Sequence, residues 1–180
     1  FNFLDRQLMS VLIESIKKDP AFATTLPDGT TVGLTDAQMG WMTGFWFALV
    51  YTVLGVIVGF LADRTSRRNI LYVGATLWSG FTVLCGLAPN YPTMLTARMG
   101  VGVGEAAGAP PSYSIISDYF PAEKRGLALA IFSMGVPLGQ AAAIAFGAQI
   151  DKAYGWRTAF IAIGVAGVIA ALLMVFVVRE

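Results

Sequence analysis

The 180-residue chain is 56% hydrophobic and 13% charged, and its formal net charge is +1. Soluble domains carry roughly 25% charged residues, so this composition excludes an ordinary soluble domain and favours a membrane protein. Histidine is absent and Cys85 is the single cysteine, which excludes a disulfide framework and a cysteine metal site. Proton chemistry near neutral pH must therefore use carboxylates. No metal, cofactor or nucleic-acid partner is predicted.

Long uncharged runs divide the chain. They cover residues 40–62, 69–97, 126–150 and 158–178, and each exceeds the roughly 20 residues that cross a bilayer as a helix. Lipid offers no partner to backbone groups, so these runs should be helices. Two further spans contain charges. We predict an all-α polytopic protein with six transmembrane helices, at about 1–16, 38–62, 70–89, 94–117, 127–149 and 157–178.

The first span carries two adjacent charges, Asp5 and Arg6. Neighbours on a helix point about 100° apart, so only one of them should face the centre of a cavity. The chain starts without an initiator methionine, and we expect this span to be cut short. The loop at 17–36 is rich in Thr, Pro, Gly and Asp, which is typical of a surface loop.

The distribution of basic residues predicts the orientation. One side of the membrane would hold Arg64, Arg67, Arg68, Lys124, Arg125 and Arg179. The other would hold Lys17, Lys18, Lys152 and Arg157. The excess on the first side predicts that it is cytoplasmic, in a multi-pass protein of the plasma (inner) membrane.

A short motif recurs in the second and fifth spans. Gly59 precedes Asp63 by four residues, and Gly147 precedes Asp151 by four. Both motifs close the middle helix of a three-helix unit. Three spans place consecutive units in opposite orientation, so the pattern predicts a 3+3 inverted repeat, which is typical of secondary transporters.

The fourth span, "RMGVGVGEAAGAPPSYSIISDYFP", combines charges with glycines. Arg98 and Glu105 fall on one helical face, while Gly100, Gly104 and Gly108 fall on the other. The glycines should let another helix approach closely, and the charges should face a cavity or a partner helix. Asp5 is the obvious partner for Arg98.

Prolines interrupt two of the predicted helices. Pro110 and Pro111 should kink the fourth span just beyond its charges. Pro137, within "GVPLG", should kink the fifth, although tight packing alone also explains that segment. The aromatic run from Trp41 to Tyr51 is more typical of lipid and helix packing than of a ligand site.

These residues resemble a known family. "GFLADRTSRRNIL" resembles the loop motif of the major facilitator superfamily, except that Ser66 replaces the usual glycine. "RMGVGVGEA" is similar to that family's fourth-helix motif. More narrowly, "NFLDR", "GVGEA", "IISDYFP" and "ALAIFSMGVPLG" resemble the Spinster branch, whose members transport lysophospholipid and sphingosine-1-phosphate. The resemblance implies the N-terminal six-helix half of a twelve-helix fold, with a C-terminal half in the same polypeptide.

The resemblance also implies roles for individual residues. A central cavity for substrate and protons would be lined by Asp5, Arg6, Arg98 and Glu105. A cytoplasmic latch would be formed by Gly59, Asp63, Arg64, Arg67, Arg68 and Asp118. Arg98 would attract the phosphate or carboxylate of the substrate, and Glu105 would carry the proton. Alternatives stay open: Arg98 as a static clamp, Glu105 as a permanently ionised partner, and the latch as a topological anchor.

We therefore expect a secondary transporter, not an enzyme, that moves lysolipid-like or sphingolipid-like amphipathic anions by alternating access among membrane lipids. A proton-coupled symporter of small organic anions such as sugar acids is the alternative within transport. A channel or membrane scaffold is the alternative of another class. A membrane enzyme would need His, Cys or paired carboxylates near an interface, and the sequence offers none.

Overall fold

A computed structural model describes residues 2–25, 27–28 and 30–177. Residues 1 and 178, the predicted ends of the first and sixth helices, lie outside the described residues, as does Arg179. The helices are α1 (Asn2–Val11), α2 (Ile13–Lys17), α3 (Asp36–Gly40), α4 (Trp46–Ala62), α5 (Arg67–Leu87), α6 (Tyr91–Glu105), α7 (Ala109–Tyr119), α8 (Ala122–Ser133), α9 (Gly135–Ala142), α10 (Ala148–Tyr154) and α11 (Trp156–Val177).

The predicted helical architecture is confirmed, with one addition in the first loop. Within the described residues, four helical stretches are long and apolar enough to cross a membrane: Asp36–Ala62, Arg67–Leu87, Ala122–Tyr154 and Trp156–Met174. π-helical turns at Trp41–Phe45 and Ala143–Gly147 continue two of them. The addition is an antiparallel hairpin of β1 (Thr24–Thr25) and β2 (Thr31–Val32).

The other two predicted spans are divided into shorter helices. Leu12 separates α1 from α2, and residues 106–108 form a turn between α6 and α7. Pro110 and Pro111 lie in the first turn of α7, where a missing N–H costs least. Their rings exclude hydrogen bonds to the carbonyls of the preceding turn. Pro137 lies four residues after Ser133, where α8 ends, and has no N–H to donate to the carbonyl of Ser133.

Glycines set the packing of α6 on α5. A Cβ at Gly104 would lie 2.4 Å from the backbone nitrogen of Trp78, and one at Gly100 would lie 2.4 Å from the ring of Phe81. The predicted close approach is therefore confirmed for these two positions. Helix α11 also packs along α5, on a different side from α6.

The two ends of the bundle differ in composition. We call the end that carries Arg64, Arg67 and Asp118 the basic end, and the end that carries the hairpin the hairpin end. Fully buried apolar side chains gather toward the hairpin end: Leu8, Leu12, Ile16, Met39, Met42 and Met94.

Candidate functional site: a buried charge cluster

The centre of the bundle holds an ion pair between α1 and α6. Nε of Arg6 lies 2.6 Å from Oε2 of Glu105. The Glu105 side chain is fully buried, whereas that of Arg6 is 32% exposed. The sequence-based expectation that Glu105 needs a partner on another helix is met by Arg6, which lies 99 positions away.

Asp5 and Arg6 diverge, as adjacent helical residues must. The hydroxyl of Thr82 on α5 donates to Oδ2 of Asp5 and also lies 2.8 Å from the carbonyl of Trp78. Asp5 is 2% exposed and interacts electrostatically with Arg98, the predicted partner. The two carboxylates thus lie in different surroundings. Glu105 contacts the partly exposed Arg6, and Asp5 contacts Thr82 of α5.

Arg98 is almost as deeply buried as Glu105, with 2% of its surface exposed. Among the described residues, its Nε and Nη1 atoms have no hydrogen-bond partner, and neither has Oε1 of Glu105. The aromatic face of Phe47 lies 5.2 Å from the Arg98 guanidinium. Buried donors of this kind are suited to an acceptor that a ligand supplies.

Aromatic rings from α1 and α4 surround Arg6. Its guanidinium lies 4.5 Å from the ring centre of Tyr51, 5.0 Å from that of Phe47 and 5.6 Å from that of Phe3. Tyr51 and Phe47 are stacked on each other. Such contacts favour a cation where water is scarce.

Phe47 and Tyr51 were interpreted from the sequence as packing residues, and neither Phe3 nor Thr82 was identified from it. The four-residue spacing of Phe47 and Tyr51, which puts both on one helical face, is the signal that was available. Thr82 lies three residues after Ser79, and both are buried polar residues within an apolar run.

The predicted latch lies at the basic end. Nη1 of Arg67 lies 2.6 Å from Oγ of Ser114 and 2.6 Å from Oδ2 of Asp118, which ties the start of α5 to the end of α7. Gly59 and Asp63 line a cleft of about 350 Å³ between α4 and α7. Arg64 is exposed and Arg68 half-buried. The structure thus brings Arg67 and Asp118 together directly and leaves Asp63 facing the cleft.

In the part of the chain that the structure describes, the buried carboxylates do not form a larger acidic cluster. Among the described residues, no three His, Cys, Asp or Glu side chains meet in a way that could hold an ion. Asp5 and Glu105 are each engaged with a different neighbour.

The chain is similar in sequence to known proteins over nearly its whole length. The chain is 33% identical over 177 residues to an MFS-type efflux pump of Mycolicibacterium smegmatis, covering 98% of this chain and 38% of that protein. It is 30% identical over 171 residues to a probable L-galactonate transporter of Escherichia coli, covering 95% and 35%. It thus spans well under half the length of these relatives.

A solved structure has the same fold. The crystal structure of a bacterial homolog to the human lysosomal transporter Spinster, inward-facing and unoccupied, superposes with a TM-score of 0.83 at 33% identity. The superposition covers 99% of this chain and 40% of that one. The resemblance to Spinster that the motifs predicted is therefore confirmed.

The family follows from the whole chain as well as from its motifs. The family description "Major Facilitator Superfamily" matches residues 1–180, and the apolar helices together with this fold make the chain a multi-pass membrane protein. The loop motif at 59–71, the divided charged helices and the match over every residue place this chain in the Major Facilitator Superfamily.

Proposed function

We propose that this chain is one six-helix half of a secondary active transporter that moves an amphipathic anion by alternating access and couples it to protons. The observation that supports this best is the ion pair between Arg6 and Glu105, enclosed by aromatic rings. Ionisable groups inside a membrane are costly and mark substrate or proton pathways.

Arg6 is the group that an anion reaches first. About a third of its side chain is exposed, whereas Arg98 is 2% exposed. A phosphate or carboxylate accepts charge-assisted hydrogen bonds from a guanidinium. Arg98, predicted from the sequence to attract the anion, lies deeper and would act after Arg6 has been engaged.

Glu105 carries the proton in this proposal. Protonation removes its charge and ends the attraction to Arg6, and an anion bound to Arg6 competes with Glu105 for the same guanidinium. Substrate and proton thus act on one ion pair, which gives the coupling that a carrier needs. Asp5 and Arg98 are the other charged groups beside the pair, and Asp5 is the second candidate for the proton.

The aromatic wall favours a substrate with an apolar part. Tyr51 and Phe47 offer apolar surface next to the Arg6 cation, as an amphipathic anion of the lysophospholipid or sphingosine-phosphate type requires. The relationship to a probable L-galactonate transporter favours sugar acids as the second candidate.

The surface of the bundle fits a second half and surrounding lipid. Val56, Ile57 and Phe60 on α4, and Leu127 and Leu138 on α8 and α9, are all more than half exposed. We propose that a second six-helix bundle and membrane lipids cover these faces. We also propose that the basic end faces the cytoplasm, in the plasma membrane.

Uptake by the full-length protein in liposomes tests this proposal. Radiolabelled lysophospholipid and labelled L-galactonate are supplied side by side, each with and without an imposed pH gradient. We expect gradient-dependent movement of the lysolipid. Arg6→Gln should raise its KM at least about tenfold, the effect of losing a hydrogen bond to a charged group.

Lys152→Gln is the control, because it removes an exposed positive charge at the hairpin end. If labelled L-galactonate were taken up and lysophospholipid were not, the proposed substrate would be a sugar acid. Unchanged KM in Arg6→Gln would exclude Arg6 from the binding site.

A further inference from the structure

Two short motifs recur at opposite ends of the bundle. "SIKKD" (15–19) follows the first span, and "SIISD" (114–118) closes the fourth. The Gly–x–x–x–Asp motifs at 59–63 and 147–151 close the second and fifth spans. Each three-helix unit therefore ends its first two helices with the same residue types, and the two helices of one unit end at opposite ends of the bundle.

Each end also joins an arginine at the start of its third helix to the acidic residue of the first motif. At the basic end Arg67 contacts Asp118 at 2.6 Å. At the hairpin end Nη2 of Arg157 lies 3.2 Å from Oδ2 of Asp19, which also accepts a 2.9 Å hydrogen bond from Nε1 of Trp156. The Arg157 guanidinium additionally donates to the carbonyl of Ala88 at 2.5 Å.

A serine–aspartate contact distinguishes the two ends. At the hairpin end Oγ of Ser15 donates to Oδ2 of Asp151 at 2.6 Å, which joins α2 to α10 directly. At the basic end the corresponding residues, Ser114 and Asp63, both line the cleft of about 350 Å³. The serine–aspartate contact is thus made at the hairpin end, whereas the corresponding residues of the basic end line a cleft.

The joined segments are separable from the helices below them. Leu12 interrupts the helix before α2, and the π-helical turn Ala143–Gly147 precedes α10. Irregular helical turns are common where helices bend. Because Ser15 ties α2 to α10 and Asp19 is held by α11, these segments are constrained to move together.

We infer that Ser15, Asp19, Asp151 and Arg157 form a second latch, at the hairpin end, whose contacts stabilise the state that is closed there. The inference rests on the alternating access proposed above. It adds positioning residues for that cycle. Asp151 holds α10 to α2 through Ser15, and Arg157 holds the loop after α2 through Asp19. Opening the hairpin end would break the Ser15–Asp151 hydrogen bond first, because both segments that it joins follow helix interruptions.

Leu12 can report opening of the hairpin end, since it is fully buried and lies three residues before Ser15. The experiment uses the full-length protein in membranes, with Leu12→Cys as the reactive thiol and Cys85→Ser to remove the other cysteine of this chain. A membrane-impermeant maleimide is added from the hairpin side without substrate. Ser15→Ala and Asp151→Asn should each raise the labelling rate about tenfold, the effect of one charge-assisted hydrogen bond. The labelling rate of the double variant should be no higher than that of either single variant. Ser15→Thr keeps the hydroxyl and should label at the parent rate.

Asp36→Asn is the matched control. The Asp36 side chain makes a 2.6 Å ion pair with Lys17 at the same end but is 93% exposed and not part of the latch. Parent labelling rates in Ser15→Ala and Asp151→Asn would overturn the inference, as would an equal rise in Asp36→Asn. Labelling needs no substrate, so failure here is separable from failure to transport lysolipid.

Discussion

At the scale of single residues, the Arg6–Glu105 pair has opposing requirements. A charge buried in a bundle must be paired, because removing one partner of a buried pair typically costs about 3–5 kcal/mol. The transport cycle proposed above nevertheless requires the pair to separate once in each turn. The partial exposure of Arg6 meets both requirements, since an entering anion can replace Glu105 without leaving the guanidinium unpaired.

Glu105→Gln mimics the protonated carboxyl and tests this argument. We expect exchange of labelled for unlabelled substrate at equal pH to be retained, because Arg6 stays available to the anion. Accumulation driven by a pH gradient should be lost, since glutamine binds no proton. Both assays use the same liposomes, and Glu123→Gln, which neutralises an exposed carboxylate at the basic end, is the control. Full gradient-driven accumulation in Glu105→Gln would make Glu105 structural and Asp5 the group to test next.

At the scale of helices, local chemistry explains which features were predictable from sequence. The apolar runs and the proline interruptions were predictable, because hydropathy and the missing N–H act within one or two turns. The partner of Glu105 was not, since Arg6 lies on another helix and pairing depends on packing. The sequence placed Asp5 and Arg6 about 100° apart, but only the packed bundle shows that Arg6 faces Glu105 and Asp5 faces Thr82.

Two glycines of α5 allow a matched test of helix packing. A Cβ at Gly74 would lie 2.4 Å from Cβ of Ala107 and 2.9 Å from the carbonyl of Gly104, whereas one at Gly80 meets nothing within 4 Å. Gly74→Ala should therefore destabilise the protein by about 1–3 kcal/mol through overpacking. Gly80→Ala should be neutral or stabilising by up to about 1 kcal/mol, because alanine favours the helix. Both effects are measured by heating the protein in detergent and recording the fraction that stays monodisperse. Equal unfolding midpoints for the two variants would contradict the close packing of α5 on the α6–α7 turn.

At the scale of the whole molecule, related contacts occur at both ends of one bundle. Arg67–Asp118 lies at the basic end, and Arg157–Asp19 lies at the hairpin end. In an alternating-access carrier only one end opens at a time, so contacts at the two ends should shift the conformational equilibrium in opposite directions. Their strengths differ, because the Asp118 side chain is 61% exposed and the Asp19 side chain 15% exposed.

Asp118→Asn measures the contribution of the basic end. The substitution keeps the size of the side chain and removes the charge that faces Arg67, so the state open at the basic end should gain population. An exposed pair contributes only about 0.2–1 kcal/mol, so we expect labelling of Ala62→Cys, a buried position lining the cleft, to rise about 1.4- to 5-fold. The impermeant maleimide is added from the basic side, in the Cys85→Ser background. High salt should reduce the difference from the parent, because it screens an exposed ion pair.

Glu123→Gln removes an equal charge from the same end without touching Arg67 and should leave labelling unchanged. A parent-like rate in Asp118→Asn, or a rise of the same size in Glu123→Gln, would mean that the loop motif orients the protein in the membrane and does not hold the basic end closed.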